Sequence, residues 1–521
     1  MSEVTDAPVD MLTAHARAQG DKTAVIDDRP GSEPRSMTYA ELNAYVNRVV
    51  SGLRELGVAP GDTVMWCGQN SLELVAMTHA ARKLGVTAVP LNYRLEDHEA
   101  AFVVDNSDST VVWTDVAFAP LFRRIAGETP RVRHVVVFGG PPEEDQIAEA
   151  DFLGSADEPV IDPEAKPKTM IYTSGTTGKP KGAVREGLGS PEQLAALLGA
   201  IGYSPDDVYV TCGPLYHSGP GGFAGIAAAL GNTVVVQHKF NAEDWLRLIE
   251  TYKCTTTFSA PTPIRMVCNL PQEVKDRYDT SSMRVMIANA APWPYALKEQ
   301  YVRDFPADSL WEVYGSTEMG VNTLLAPADQ LRKPGSCGKP APGVEVKLVD
   351  PEGNEVTEPN VPGELFVRSA SMFVSYHKAH DKYQEDEIDG GWHTVGDIAY
   401  RDEEGFLFIC DRKKDMIISG GMNIYPAEIE AALETSPRIF EVAVFGIPSE
   451  EWGESVHAVV VRADDAVTEE DVIAYAREHL AGYKIPRSVS FIDEIPKTGS
   501  NKILKRELRA PFWEGHATAI A

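Results

Sequence analysis

Apolar positions along the chain alternate between two spacings. From Tyr39 to Leu56 they recur at helical intervals, from Thr63 to Cys67 they form a short continuous run, and from Ser71 to Leu84 the helical interval returns. This alternation predicts α/β layering around a parallel sheet. The same unit recurs as a strand at Met283–Ala288, a helix at Tyr295–Phe305 and a strand at Leu310–Val313. From Pro340 the texture changes to short runs at Val344–Val349, Gly363–Val367 and Gly405–Cys410 separated by Gly, Pro and Asn, which predicts a smaller β-rich subdomain. After Asp411-Arg412-Lys413-Lys414-Asp415 comes a last segment the size of a small domain. In it Pro426 with Glu428 and Glu430 marks a helix start, Thr468 with Asp471 marks a capped helix that Gly482 is expected to close, and His457–Val461 alternates like a strand.

Composition narrows the class. With 521 residues, 43% apolar and 24% charged, the chain is neither disordered nor fibrous, and its length suits three to four compact units at about 150 residues each. A net charge of −29 argues against a general binder of nucleic acid or anionic membrane. Its six cysteines lie far apart with no CxxC pair, which argues against a zinc ribbon, a redox dithiol or a disulfide scaffold. The acidic N-terminus lacks a signal pattern and the apolar stretch around Phe223–Val236 is broken by Gly231 and Asn232, so a cytoplasmic protein with no integral membrane association is expected.

The strongest chemical signal is the strand-like Thr169–Tyr172 followed by Thr173-Ser174-Gly175-Thr176-Thr177-Gly178-Lys179-Pro180-Lys181-Gly182. Glycines let backbone N–H groups converge on an anion, hydroxyls add donors and lysines add charge, a set suited to a polyphosphate. The spacing is wrong for a Walker A loop, and composition alone leaves a Ser/Thr/Gly linker open. Gly219-Pro220-Gly221-Gly222-Phe223-Ala224 matches a dinucleotide fingerprint by letter only. It is rejected because no helix start is expected straight after His217-Ser218 and because Lys239 stands where the ribose carboxylate belongs.

The decapeptide resembles the phosphate loop of the adenylate-forming superfamily of acyl-CoA synthetases, peptide-synthetase adenylation domains and firefly-type luciferases. Tyr314-Gly315-Ser316-Thr317-Glu318, Thr394-Val395-Gly396-Asp397, Asp411-Arg412-Lys413-Lys414 and Pro496-Lys497-Thr498-Gly499-Ser500-Asn501-Lys502 resemble that family's further motifs, in its order. The resemblance implies an α/β fold: a large N-terminal domain (1–413) of layered α/β subdomains plus a β-rich subdomain (about 340–413), and a small mobile α+β C-terminal domain (414–521) hinged near Lys414. It further implies that Thr173, Ser174, Gly175, Thr176, Thr177, Gly178 and Lys181 surround the β- and γ-phosphates of ATP, that Thr317 meets the α-phosphate and that Glu318 ligates Mg²⁺. Asn289-Ala290-Ala291 would lie on the adenine side, Asn289 replacing a usual glycine because Asn visits the left-handed region, and Tyr314, Gly315 and Ser316 would bind the nucleotide as part of the second motif. Asp397 would hold the ribose hydroxyls, Arg412 would contact the same sugar or the phosphate, and Lys502 would bridge the attacking carboxylate and the nucleotide. Ser419-Gly420-Gly421-Met422 would line a coenzyme A tunnel, and this loop resembles CoA ligases more than luciferases. His217, Gly219 and Gly221 would line the acyl pocket, where small side chains leave volume.

The implied activity is an AMP-forming carboxylic acid:CoA ligase, with medium- or long-chain fatty acids favoured. Alternatives are a steroid side-chain or aryl acid:CoA ligase, an acyl-AMP ligase loading a carrier protein and, last, a non-catalytic nucleotide-binding protein. The partners are then a small carboxylic acid, ATP and CoA, with a homodimer left open. Independently, Gly482–Ala510 carries seven basic residues against three acidic ones, a local reversal that reads as anion handling.

Overall fold

Local capping chemistry sets the first helices. Thr38 and Glu41 form a reciprocal capping box at the start of the Tyr39–Glu55 helix. Ser71 Oγ accepts the Leu74 N–H ahead of the Leu72–Leu84 helix, which ends on Gly85 at φ 74°. The computed structural model describes residues 10–162, 164–173, 180–187, 189–291, 293–379, 381, 387–388, 390–497 and 503–514. By its contacts the chain forms two compact units, Met1–Glu345 with Arg368–Asp386, and Val346–Val367 with Glu387–Ala521.

The larger unit is built on two sheets. In the eight-stranded one, Thr63–Cys67, Thr87–Leu91, Val111–Asp115 and His134–Phe138 run parallel, as the apolar runs predict for strands covered on both faces. Its edge turns antiparallel where Lys168–Thr173 meets Lys181–Arg185, which Ser375–Tyr376 then joins. In the nine-stranded sheet, Thr23–Asp27, Thr233–Val236, Val208–Thr211, Thr256–Ser259, Val285–Ala288 and Leu310–Ser316 run parallel before Gly320–Leu325 reverses. One hydrophobic core joins both sheets. Val64, Trp113 and Val136 meet Tyr209, Val234, Phe258 and Val285 through Val46, Val50, Met77, Ala80, Phe223 and Ala227 of the intervening helices. Each such large side chain contributes about 1.5–3 kcal/mol by leaving water.

The smaller unit pairs a six-stranded, largely antiparallel sheet with a five-stranded one built on the Ile439–Ser449/Gly453–Arg462 hairpin. Pro426 opens the Pro426–Leu433 helix, as the sequence predicts. Two expectations fail here. The Glu469–His479 helix ends on Leu480 in extended conformation, and Gly482 instead opens a short 3₁₀ turn. The segment His457–Val461 is buried at every position instead of alternating, because helices cover both faces of its hairpin. Ile429, Leu433, Val472 and Ala476 pack with Val456 and Val460, while Phe512 of the Lys505–Trp513 helix packs on Phe445 and His457.

The basic run near the C-terminus is also not a free cationic surface. Lys484 pairs with Glu428, Lys497 with Glu441 at 2.8 Å, Lys505 with Glu430 at 2.7 Å and Arg509 with Glu454 at 3.0 Å. Its local charge is spent on docking helices and strands of the same unit, so it no longer stands as independent support for anion handling.

The largest departure is at Ser218. A helix, Ser218–Ala229, begins immediately after His217, which holds the N-cap position at φ −84°, ψ 146°. The fingerprint reading therefore fails on Lys239 alone. Glycine lowers helix propensity by about 1 kcal/mol per residue, so these glycines need another reason, and packing supplies it. A Cβ on Gly219 would enter the Phe258 ring and one on Gly221 would strike the Leu215 carbonyl oxygen, whereas one on Gly222 meets nothing within 4 Å. The volume expected at Gly219 and Gly221 is filled by neighbours, and open space begins at Gly222.

Gly219→Ala should accordingly lower stability by about 1–3 kcal/mol, as overpacking does. Gly222→Ala should be neutral or gain up to about 1 kcal/mol of helix propensity. Urea unfolding midpoints in the reverse order would contradict this packing.

Candidate active site

The turn between Leu310–Ser316 and Gly320–Leu325 is the centre of the site in the larger unit. The hairpin closes tightly, because a Cβ on Gly315 would collide with the Gly320 carbonyl oxygen and Gly320 itself stands at φ 73°. This places Thr317 and Glu318 at the tip, partly exposed. Arg185 Nη1 donates to the Thr317 carbonyl at 2.6 Å, and its Nη2 donates to the Ser371 carbonyl. Partial burial lowers the Arg185 pKa, and the Glu318 carboxylate opposes that shift.

Hydroxyls converge on the same turn. Thr173 Oγ1 donates to Glu318 Oε1 at 3.3 Å and the Tyr376 hydroxyl donates to it at 3.1 Å. The Ser218 and Thr317 hydroxyls are 2.9 Å apart, which ties the start of the Ser218–Ala229 helix to the hairpin tip. Lys181 Nζ lies 5.4 Å from the Tyr376 ring centroid. Thr173 and Lys181 face each other across the two strands that flank the glycine-rich loop. Ser174, Gly175, Thr176, Thr177 and Gly178 lie outside the described residues, as does Lys502.

Asn289, Ala290 and Ala291 follow the Val285–Ala288 strand, at the carboxyl edge of the parallel strands where open α/β sheets bind ligands. Asn289 Nδ2 donates to the Val313 carbonyl at 2.5 Å and locks this edge to the strand leading to Tyr314. The left-handed residue is not Asn289, as expected, but Ala290 at φ 71°. Such a conformation costs a non-glycine residue about 1–2 kcal/mol, and the side-chain clamp of Asn289 is what holds it. His217 packs against Tyr216 in a tilted arrangement with ring centroids 4.4 Å apart, just before the helix that reaches Thr317.

In the smaller unit, Asp397 and Arg412 are cross-strand partners, with Nε to Oδ1 at 3.5 Å. The buried carboxylate is able to accept from two vicinal hydroxyls, and the exposed guanidinium beside it can only donate. Lys414 sits in the turn that follows, where the Asp415 and Met416 N–H groups return to the Arg412 carbonyl at 2.9 and 3.1 Å. Gly420 and Gly421 form a two-residue hairpin loop between Ile417–Ser419 and Met422–Ile424, with φ 58° and 78°. That turn type requires glycine-like residues at both positions whatever else it does.

A divalent cation fits the donor set at Glu318. Its Oε1 is occupied by two hydroxyls while Oε2 accepts no hydrogen bond among the described residues. Among the described residues no cluster of three or more His, Cys, Asp or Glu could hold a metal. A single carboxylate oxygen completed by phosphate and water oxygens is how Mg²⁺ is commonly held.

Arg185, Tyr376 and Ser218 were not singled out from the sequence. Arg185 had a usable signal, since it shares a strand face with Lys181 at period two. Tyr376 had none, because it arrives on a short strand from far downstream.

Residues 12–377 match the sequence model of the AMP-binding enzyme family and residues 428–502 that of the AMP-binding enzyme C-terminal domain. The chain is similar to the long-chain-fatty-acid–CoA ligase FadD13 of Mycobacterium tuberculosis, with 34% identity over 488 residues covering 93% of this chain and 94% of that protein. It is similar to the fatty acid–[acyl-carrier-protein] ligase ScoC of Streptomyces coeruleorubidus, with 33% identity over 522 residues and 98% of each chain covered. Among solved structures, the o-succinylbenzoate CoA synthetase of Bacillus subtilis in complex with its acyl-adenylate intermediate superposes with a TM-score of 0.82 at 29% identity, covering 96% of this chain and 98% of that one.

The carboxylate and the hydroxyls that meet it should separate by mutation. Glu318→Gln should keep the unfolding midpoint while acid-dependent exchange of pyrophosphate into ATP falls about 10²-fold. Tyr376→Phe removes one hydrogen bond to a charged group and should cost about tenfold. Equal losses in the two variants would contradict a distinct role for the carboxylate at the reacting phosphates.

Proposed function

The chain belongs to the AMP-binding enzyme family and is an AMP-forming acid–thiol ligase, and on that premise we propose that it activates a carboxylic acid with an extended apolar body and passes the acyl group to coenzyme A. In the first step a carboxylate oxygen attacks the α-phosphorus of ATP. The bond to the bridging β-oxygen breaks, and acyl-adenylate and pyrophosphate result. In the second, the CoA thiolate attacks the acyl carbon and AMP leaves with the electron pair of the mixed anhydride.

The observation that carries this reading is the convergence of Thr173, Tyr376 and Ser218 on the Thr317–Glu318 turn. Thr317 and the strand ends at Thr173 and Lys181 orient the triphosphate, with Ser174–Gly178 of the loop between them. Mg²⁺, held by Glu318, would offset phosphate charge. Asn289, Ala290, Ala291 and Tyr314–Ser316 form the adenine side, and Asp397 with Arg412 holds the ribose. Lys502 stabilises charge as the carboxylate meets the nucleotide. His217 stands at the mouth of the acyl pocket, beside the helix whose open face begins at Gly222. The apolar character of that helix, whose Phe223, Ala224 and Ile226 are buried in the core, favours fatty or aryl acids over amino acids, because an unpaired ammonium beside it is costly.

Medium- or long-chain fatty acids remain the first candidates, and steroid side-chain and aryl acids come next. Transfer to a carrier protein is the second reading, favoured by the full-length likeness to a carrier-protein ligase. The Ser419–Met422 hairpin, a tight turn of backbone with little side chain, supports free CoA as acceptor by leaving room for a thin thiol arm. Incubation with ATP, Mg²⁺, CoA and a panel of acids should give stoichiometric AMP and acyl-CoA, and Lys502→Ala should lose about 10²-fold in both. Adenylate that accumulates without thioester would favour the carrier-protein reading.

The hinge has its own test. Lys414→Pro fixes φ near −65°, and a domain swing about this residue needs that torsion to change. Adenylate formation should survive while thioester formation from preformed adenylate collapses. Equal losses in both steps would put the hinge elsewhere.

A further inference from the structure

The Leu72–Leu84 helix is closed on nearly every side, yet its one arginine is open. Ala81 and Lys83 are each 2% exposed, whereas Arg82 between them keeps more than a third of its surface accessible. Its guanidinium nevertheless reaches inward. An Arg82 Nη2 lies only 2.8 Å from where a Cβ on Gly225 would stand, and Gly225 is itself buried in the middle of the Ser218–Ala229 helix. Thr78 and His79, one turn back on the same face, are also only partly closed. An accessible side chain reaching a buried helix faces space inside the fold.

The helix face it meets runs to the reacting centre. Ser218, Gly222 and Gly225 share one face of their helix at spacings of four and three. Ser218 touches Thr317 at 2.9 Å, Gly222 has nothing within 4 Å of a Cβ, and Gly225 meets Arg82. At 1.5 Å per residue, Ser218 and Gly225 are about 10 Å apart.

Arg82 is also unlike its neighbours in charge. Lys83 is held by Thr13, Asn43 and Asn47 and pairs with Asp10 at 3.3 Å, and Arg35 and Arg247 each bind two carboxylates. Among the described residues nothing accepts from the Arg82 guanidinium, and desolvation alone lowers its pKa. His79 beside it is kept neutral, its pKa pulled down to about 3 by burial and then by Arg82. In a chain with 77 acidic residues against 48 basic ones, carboxylates to pair with it were abundant. A cation turned into the fold without an anionic partner is costly unless something else supplies the anion.

We propose that Arg82 closes the acyl pocket and pairs with a second carboxylate at the far end of the substrate. The preferred acid is then a dicarboxylate with an apolar middle, one carboxylate reacting beside Thr317 and the other held by Arg82. This deepens the ligase reading and rests on it. His79, neutral, adds a hydrogen-bonding wall beside the guanidinium without competing for charge.

The test compares kcat/KM for CoA-dependent AMP release between straight-chain monocarboxylic acids and α,ω-dicarboxylic acids of matched medium length. The wild-type enzyme should prefer the diacid by at least about tenfold at its best length, as a charge-assisted contact allows. Arg82→Met should abolish that preference and raise the monoacid rate, and Arg82→Lys should keep part of it. Gly225→Ala should shift the ratio the same way with the charge still present, because the new Cβ displaces the guanidinium, and it serves if Arg82→Met does not fold. A wild-type preference for the monoacid at every length, or a ratio unchanged in these variants, overturns the proposal. No AMP release with any acid would instead overturn the ligase reading itself.

Discussion

Arg185 holds the Thr317–Glu318 turn by its backbone, and the chemistry of the larger unit is arranged about that turn. Its two guanidinium nitrogens bind the Thr317 and Ser371 carbonyls, so the hairpin tip and the segment leading to Tyr376 are fixed to the strand that follows the glycine-rich loop. Because the anchor grips carbonyls and not side chains, Glu318 keeps a carboxylate oxygen open. Ser218 adds the third tie. The result joins the carboxyl edge of one sheet to the end strands of the other through a single turn.

The helix that begins at Ser218 works by small size. Its glycines let Phe258 approach closely at Gly219 and the Leu215 carbonyl at Gly221, and they leave the Gly222 position open. Close packing and open space thus sit on one helix. A helix of larger residues at this position would gain propensity and lose the approach of sheet and ligand alike.

Much of the fold was legible because it is local. Period-two and helical spacing, the Thr38–Glu41 and Thr468–Asp471 capping boxes and Pro426 place their elements within a residue or two. The family was legible because its glycine-rich loop puts glycine, hydroxyl and lysine side by side in sequence. What was missed depends on distance in the chain. Glycines concealed the Ser218–Ala229 helix, since their cost is offset only by contacts with Phe258 and Leu215. The basic run near the C-terminus looked free because Glu428, Glu430, Glu441 and Glu454 precede it by dozens of residues. Ala290 took the left-handed conformation assigned to Asn289 because the asparagine side chain is engaged with the Val313 carbonyl.

The most direct measurement of the central chemistry follows an oxygen atom. An acid labelled with ¹⁸O in its carboxylate is turned over with ATP, Mg²⁺ and CoA, and the products are weighed by mass spectrometry. Attack of the carboxylate on the α-phosphorus predicts one ¹⁸O in AMP and none in pyrophosphate. Label in inorganic phosphate together with ADP, or unlabelled AMP, would contradict activation as an acyl-adenylate.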